Sequence, residues 1–443
     1  MRLILTRVTA AAFALYLLFG QRFTVDAATG GRGAVSLPEM LFLAASLLLW
    51  FGLKVRIEGP HAKGLFVSTV GPLFTLLMVL PLIGVLIGDY EPRALYSFVV
   101  VLVPMAILTL GAAAARFDVD LRTPVFVAVV GQGLYGLGQL LARVGLMPTG
   151  LWSWAVNWDA QTQASYSESY VISSRSTGLF VNPNEFGLWS VLTVIFGALY
   201  LRGRRRGVAL FLGILGVFAS QSRTAWLALA LLLAALMIRN LLRPQTAKSS
   251  FVAVALTAVT LGLVALFGGF SRFIEAGAVS RFNTGLGVFT GGGASQDANL
   301  QGRYVGWERA NEFVQDYAFG TLGPPQLKFG GSIDNQFVSY YLQGGVLLVC
   351  VYLLALAAPF IVLRRRVHQS WKLMVVATVF AIFSYTASPM DSPAASALAW
   401  VCVTLSVQAS LRPGVSRVDP ADTTDDPEPA FEPAPRVSNG RPM

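Results

Sequence analysis

Four arginines stand beside carboxylates and amides in stretches too polar to be membrane spans. Arg175 opens Arg175-Ser176-Thr177-Gly178-Leu179-Phe180-Val181-Asn182-Pro183-Asn184-Glu185, and Arg223 lies in Ser220-Gln221-Ser222-Arg223-Thr224-Ala225. Arg303, Tyr304, Glu308 and Arg309 follow within seven residues of one another, and Asp334-Asn335 closes the same polar region. A guanidinium donates in a fixed fork that matches phosphate oxygens. Several of them converging would hold a diphosphate and offset the charge that grows on it as a leaving group. Asp334, with Glu185 or Glu308 as substitutes, has the chemistry to accept a proton from an attacking hydroxyl. Asn182, Asn184, Tyr304 and Asn335 would line the substrate pocket. A plainer reading stands beside this one: Asn182 and Asp334 also suit helix caps, and Pro183 the first position of a helix.

The elements that must position these groups are membrane helices. The chain has 443 residues, 55% of them hydrophobic and 13% charged, against about 25% charged in soluble domains. With roughly 20 apolar residues needed per crossing, about twelve spans are expected. They fall near 5–20, 37–53, 64–88, 94–115, 123–146, 185–201, 207–219, 224–239, 251–269, 336–363, 372–387 and 393–410. The seventh and eighth are short enough to tilt or merge. The expected fold class is therefore all-α and polytopic.

Cations set the orientation. One set of loops holds Lys54, Arg56 and Lys63; Arg116 and Arg122; Arg202 and Arg204 to Arg206; Arg239, Arg243 and Lys248; and Arg364 to Arg366 with Lys372. The alternate short loops hold little beyond Arg22, Arg32 and Arg93. The positive-inside rule makes the first set and both termini cytoplasmic. The polar segments 147–184 and 270–335 then lie outside, the second long enough for short helices. Arg223 falls on that outer side, in a loop too short to hold it away from the bilayer. A cation there is costly without an anion against it. Residues 1–411 form the membrane domain, and the Pro-, Asp- and Glu-rich tail 412–443 reads as disordered and cytoplasmic.

Other features exclude alternatives. The net charge of +10 sits in topology-setting loops and not on a basic face, so nucleic-acid binding is not expected. Cys350 and Cys402 read as buried hydrophobes, and His61 and His368 sit in basic inner loops, so neither a bound metal nor another cofactor is expected. The first apolar run, behind Arg2 and Arg7, reads as an uncleaved helix. Gly131-Gln132-Gly133-Leu134-Tyr135-Gly136 has the spacing of a dinucleotide fingerprint but lacks the preceding strand, so helix packing is its reading. Gly84 and Gly88 read the same way. Asp118-Val119-Asp120 reads as a solvated inner loop.

The ordered set Arg175 to Glu185, Ser220 to Trp226, Gly302-Arg303-Tyr304, Gly320-Thr321-Leu322-Gly323, Ile333-Asp334-Asn335-Gln336-Phe337 and Leu342 to Gly345 resembles the O-antigen ligase and polymerase superfamily of bacterial membrane glycosyltransferases. The resemblance covers roughly residues 175–363. It implies a metal-independent enzyme of about twelve helices in the cytoplasmic membrane, taking undecaprenyl-diphosphate-linked oligosaccharide as donor at the outer face. Family arginines on the lipid diphosphate carry over to Arg223 and Arg303, with Arg175 or Arg309 assisting. The ligase branch has a histidine where Asp334 stands, so the expected activity is polymerisation of lipid-linked repeat units for surface polysaccharide. A flippase and a chain-length regulator would be its protein partners. Ligase-type transfer of glycan to a lipid, wall or protein acceptor is the alternative. A twelve-helix transporter, a count common among transporters, is the reading from another class.

Overall fold

The computed structural model describes residues 2–20, 36–53, 70–143, 146–148, 175–180, 182–241, 298–315, 317, 319–329, 333–362 and 367–411. The expected ninth span, most of the first polar segment, the first half of the second and the tail lie outside these residues. Among the described residues all regular structure is helical. The helices are α1 (Arg2–Phe19), α2 (Leu37–Leu53), α3 (Gly71–Leu86), α4 (Val99–Arg116), α5 (Arg122–Arg143), α6 (Pro183–Tyr200) and α7 (Gly203–Ser220). They continue as α8 (Arg223–Leu241), α9 (Ala298–Val314), α10 (Pro325–Phe329), α11 (Gln336–Val362), α12 (Val367–Thr386) and α13 (Pro393–Leu411).

Among the described residues four stretches are long and apolar enough to cross a membrane: Arg2–Phe19, Ala94–Arg116, Arg122–Ala142 and Gln336–Pro359. Shorter apolar helices flank them. The perimeter is apolar, with Phe51 and Leu86 each 75% exposed and Val346 66%, while Gln132, Gln139, Ser176, Gln336 and Ser339 are buried. Such a surface is a liability in water and matches hydrocarbon. The protein is a membrane-embedded helical bundle.

At its centre stands α6, whose residues from Phe186 to Gly197 are all buried, as expected of a helix apolar on every side. Asn182 caps it, its Oδ1 accepting from the Asn184 amide at 2.8 Å, and Pro183 takes the first turn. Small residues let α7 lie close: Gly197 meets Ala209, and Gly213 meets Val194. The glycines of the 131–136 run do the same work, Gly131 against Leu18, Gly133 against Leu212 and Gly136 against Phe186.

Several boundaries differ from expectation. The seventh and eighth spans do not merge; α7 and α8 have 18 and 19 residues. They part at Gln221, which is left-handed at φ 49°. The third span is described as a helix only from Gly71 to Leu86, and a 3-10 turn over Pro92–Phe98 leads into α4. Gly84 packs against the Leu322 carbonyl, but Gly88 has φ 79° and open space around it, so it shapes a turn and not a packing face. Asp120 is a cap, accepting from the Arg122 amide and the Thr123 hydroxyl.

Helix α11 is broken at Gly344 and Gly345, the latter at φ 63°. The break leaves the carbonyls of Leu342 and Gln343 without helical donors. The Thr321 and Leu322 amides take them at 2.6 and 2.9 Å. Two runs far apart in sequence, 320–323 and 342–345, thus form one joint.

Candidate functional site

The site lies at the end of the bundle where α7 and α12 finish and α6, α8, α11 and α13 begin. Residues 175–180 enter it as irregular backbone, and Ser176 and Thr177 are buried. Irregular backbone inside an apolar bundle needs partners for its amides. Two glutamines of α5 supply them. Gln139 Oε1 accepts from the Thr177 and Gly178 amides at 3.0 and 2.9 Å, and Gln132 Oε1 from the Leu179 amide at 2.9 Å. Gly178 has φ 58°, and a Cβ there would meet Phe186. Glycine is required on both counts.

This scaffold aims Arg175. Its Nε donates to the Ser220 carbonyl at 2.9 Å and its Nη2 to Asn184 Oδ1 at 2.8 Å. Ser220 is the last residue of α7, so the cation meets the negative end of that helix dipole. Asn182, Asn184 and Arg175 therefore interlock, with half-buried Glu185 beside them. The oxygens of Asn182 and Asn184 are engaged in holding the segment.

Arg223 is placed differently. It is the first residue of α8 and half-buried, with the Ser222 hydroxyl accepting from the Ala225 amide behind it. A cation at a helix N-terminus faces the positive end of the dipole, which disfavours it unless an anion joins both. Its neighbour Thr224 shares a hydrogen bond with Thr386, the last residue of α12.

Arg303 approaches the same helix end from α9. Its Nη2 lies 3.6 Å from Asp334 Oδ2, an ion pair longer than a hydrogen bond, and its Nε is buried without a hydrogen-bond acceptor among the described residues. Trp307, one turn on, packs edge-on against Tyr385, with centroids 5.6 Å apart. Tyr304 meets Trp307 at 5.3 Å. Tyr304 and Tyr385 stay about half exposed, forming an aromatic shelf beside Arg303. A small core of Ala310, Val314, Ile333 and Leu342 holds α9 against α11.

The cap of α11 is Asn335 and not Asp334: Asn335 Oδ1 accepts from the Phe337 and Val338 amides at 2.9 and 3.1 Å. Its Nδ2 donates to the Tyr385 carbonyl at 3.1 Å, and the residue is buried. Asp334 is left for Arg303. Helical periodicity separates Glu308 and Arg309 from the stripe of Arg303, Trp307, Ala310 and Val314, and both are exposed. Among the described residues no three His, Cys, Asp or Glu side chains gather as metal ligands would.

Asp391 is the residue that the sequence analysis passed over. It ends a 3-10 turn, Pro389–Asp391, between α12 and α13. Oδ1 accepts from Gln336 Nε2 at 3.2 Å; Oδ2 accepts from Gln326 Nε2 at 3.2 Å and from the Ser339 hydroxyl at 3.4 Å. Gln336 in turn accepts from the Met390 amide at 2.9 Å. Asp391 is an exposed residue, yet neighbouring protein crowds its carboxyl. Burial pushes its pKa above the ordinary carboxylate value, with the hydrogen bonds from Gln336, Ser339 and Gln326 opposing. A signal was there to read: Ser388-Pro389-Met390-Asp391-Ser392-Pro393 is a polar break as tight as the one around Arg223.

Compared with known proteins, the chain matches no family model, no curated protein and no solved structure.

Proposed function

We propose that the chain is an inverting polymerase of polyprenyl-diphosphate-linked oligosaccharide repeat units. It works at the outer face of the cytoplasmic membrane, with about twelve spans and both termini inside. The observation that carries this reading is the continuity of the arginine-bearing segments. Arg223 adjoins Thr224, which bonds Thr386; Tyr385, next along, meets Trp307 on the helix that carries Arg303. The two guanidinium groups resembling the family's diphosphate ligands thus flank one helix end, α12. Arg116, Arg122, Arg202, Arg204 and Arg205 are exposed at the opposite end, in keeping with a cytoplasmic face there.

In this mechanism the donor's diphosphate lies between Arg223 at the start of α8 and Arg303. The hydroxyl of one repeat unit attacks the anomeric carbon of another. The bond from that carbon to the phosphate oxygen breaks, and its electron pair leaves with the polyprenyl diphosphate. The two cations and the α8 N-terminus meet the charge as it develops. The shelf of Tyr304, Trp307 and Tyr385 supplies flat apolar faces for sugar rings. Arg175 steadies the segment that leads into α6.

The test uses the purified full chain in proteoliposomes with lipid-linked repeat units isolated from the membranes of cells depleted of it. Wild-type protein extends them into a ladder on a gel, and Arg223→Ala leaves single units although it inserts and folds. A normal ladder from that variant removes the mechanism. Intact polymer made but left unattached in depleted cells points to ligase-type transfer instead.

A further inference from the structure

Resting on that reading, we infer that Asp391, and not Asp334, takes the proton from the attacking hydroxyl. The two carboxylates face different groups. Asp334 has a cation 3.6 Å away, and that cation is one of the two assigned to the diphosphate. That contact commits the Asp334 carboxylate to Arg303, on the diphosphate side of the site. Among the described residues Asp391 accepts from neutral groups alone, the amides of Gln326 and Gln336 and the hydroxyl of Ser339. Among the described residues no Lys or Arg comes within ion-pair range of it.

Position agrees. Gln336, which holds Asp391, follows the cap residue Asn335, and its own amide donates to the Ala387 carbonyl at 3.1 Å. Ala387 follows Thr386, the partner of Thr224. Asp391 therefore sits near the same α12 terminus that Arg223 and Arg303 flank. The donor diphosphate would occupy the cationic side and the acceptor hydroxyl the acidic side.

The step balances simply. The acceptor oxygen bonds to the anomeric carbon, and the carbon–oxygen bond to the diphosphate breaks. The hydroxyl proton passes to a carboxylate oxygen of Asp391, which later releases it to water through its exposed edge. A base is most effective when its pKa is raised toward the working pH while it stays ionised, and burial moves Asp391 in that direction. Among the described residues Tyr340 and Tyr352 of α11 are the titratable side chains that feel its charge. Lys328 of α10 is paired instead with Asp89 at 3.0 Å.

The experiment compares wild type, Asp391→Asn, Asp391→Glu, Asp334→Asn and Arg223→Ala in the proteoliposome ladder assay across pH. Thermal unfolding and affinity for undecaprenyl diphosphate are measured on the same samples. Asp391→Asn is expected to keep the wild-type unfolding temperature and diphosphate affinity, and to lose about a hundredfold or more in turnover, the scale of general base catalysis. Its residual rate no longer falls as pH is lowered, whereas the wild-type and Asp334→Asn rates do. Asp391→Glu recovers part of the rate. Turnover within about threefold of wild type in Asp391→Asn, beside an inactive Arg223→Ala, overturns the assignment and spares the transferase reading. Lowered unfolding temperature together with lost diphosphate affinity also overturns it, because Asp391 is then a structural staple. Full activity in Arg223→Ala strikes at the transferase reading itself.

Discussion

Where α7 begins, Arg202, Arg204 and Arg205 are exposed, and Arg205 reaches the Thr123 hydroxyl and the face of Phe126. Where α7 finishes, Arg175 is wedged between the Ser220 carbonyl and Asn184, Arg223 begins the next helix, and Arg303 is drawn to Asp334. The same residue type does two different things at the two ends of one 18-residue helix. At the first end, long side chains lie in solvent, and their worth is the bias they give to insertion. At the second, half-buried guanidinium groups are held by specific partners, Arg175 by the Ser220 carbonyl and Asn184 and Arg303 by Asp334. The difference teaches that position in the bundle, and not arginine content, marks a site.

The comparison predicts unequal responses to one substitution. Arg223→Ala and Arg303→Ala should each cut polymer formation by about a hundredfold or more, the scale seen for a single donor to a developing oxyanion. Arg204→Ala and Arg205→Ala should leave the ladder unchanged. Equal losses at both ends in the gel assay would dissolve the contrast. Arg175→Lys should come next, with turnover down roughly tenfold, because an ammonium lacks the fork that spans Ser220 and Asn184. Initial-rate measurements decide this. Recovery of wild-type rates by lysine would mean that charge alone is needed.

A smaller effect is expected from the polar scaffold beneath. Gln139→Leu strands the Thr177 and Gly178 amides and should lower stability by about 1–3 kcal/mol. Denaturation in detergent reads this, and no change would mean that water replaces the glutamine. The least consequence belongs to the opposite end, where the Tyr200 hydroxyl shares a hydrogen bond with Ser406 at 2.6 Å. Ser406→Ala should cost about 1 kcal/mol of stability and nothing in turnover. A measurable fall in rate there would show that the two ends communicate.

Much of the site was legible as motif, and its internal geometry was not. Asn182 and Pro183 were readable as cap and first turn because capping is local in sequence. The cap of α11 was misread by one residue, since Asp and Asn both cap well and only the approach of Arg303 from α9 draws Asp334 away. Arg309 looked like a companion to Arg303, yet six residues on a helix turn it to another face. Gln132 was hidden inside a glycine run that invited a different comparison, and its task depends on backbone forty-seven positions later. Asp391 escaped notice for a similar reason, as its donors come from α10 and α11.

By itself, the amino-acid sequence determined that this is a helical membrane protein and that Asn182 and Pro183 start one of its helices. Hydrophobic length, capping residues and glycine or proline breaks act over a few residues and leave a local trace. The tertiary structure alone decided which carboxylate pairs with a cation and which faces neutral donors. It also decided that the 320–323 run seals the break in α11, and that Thr224 touches the end of α12. Those outcomes depend on groups from distant segments sharing a space with little water, where each buried charge or amide must find its partner across the fold.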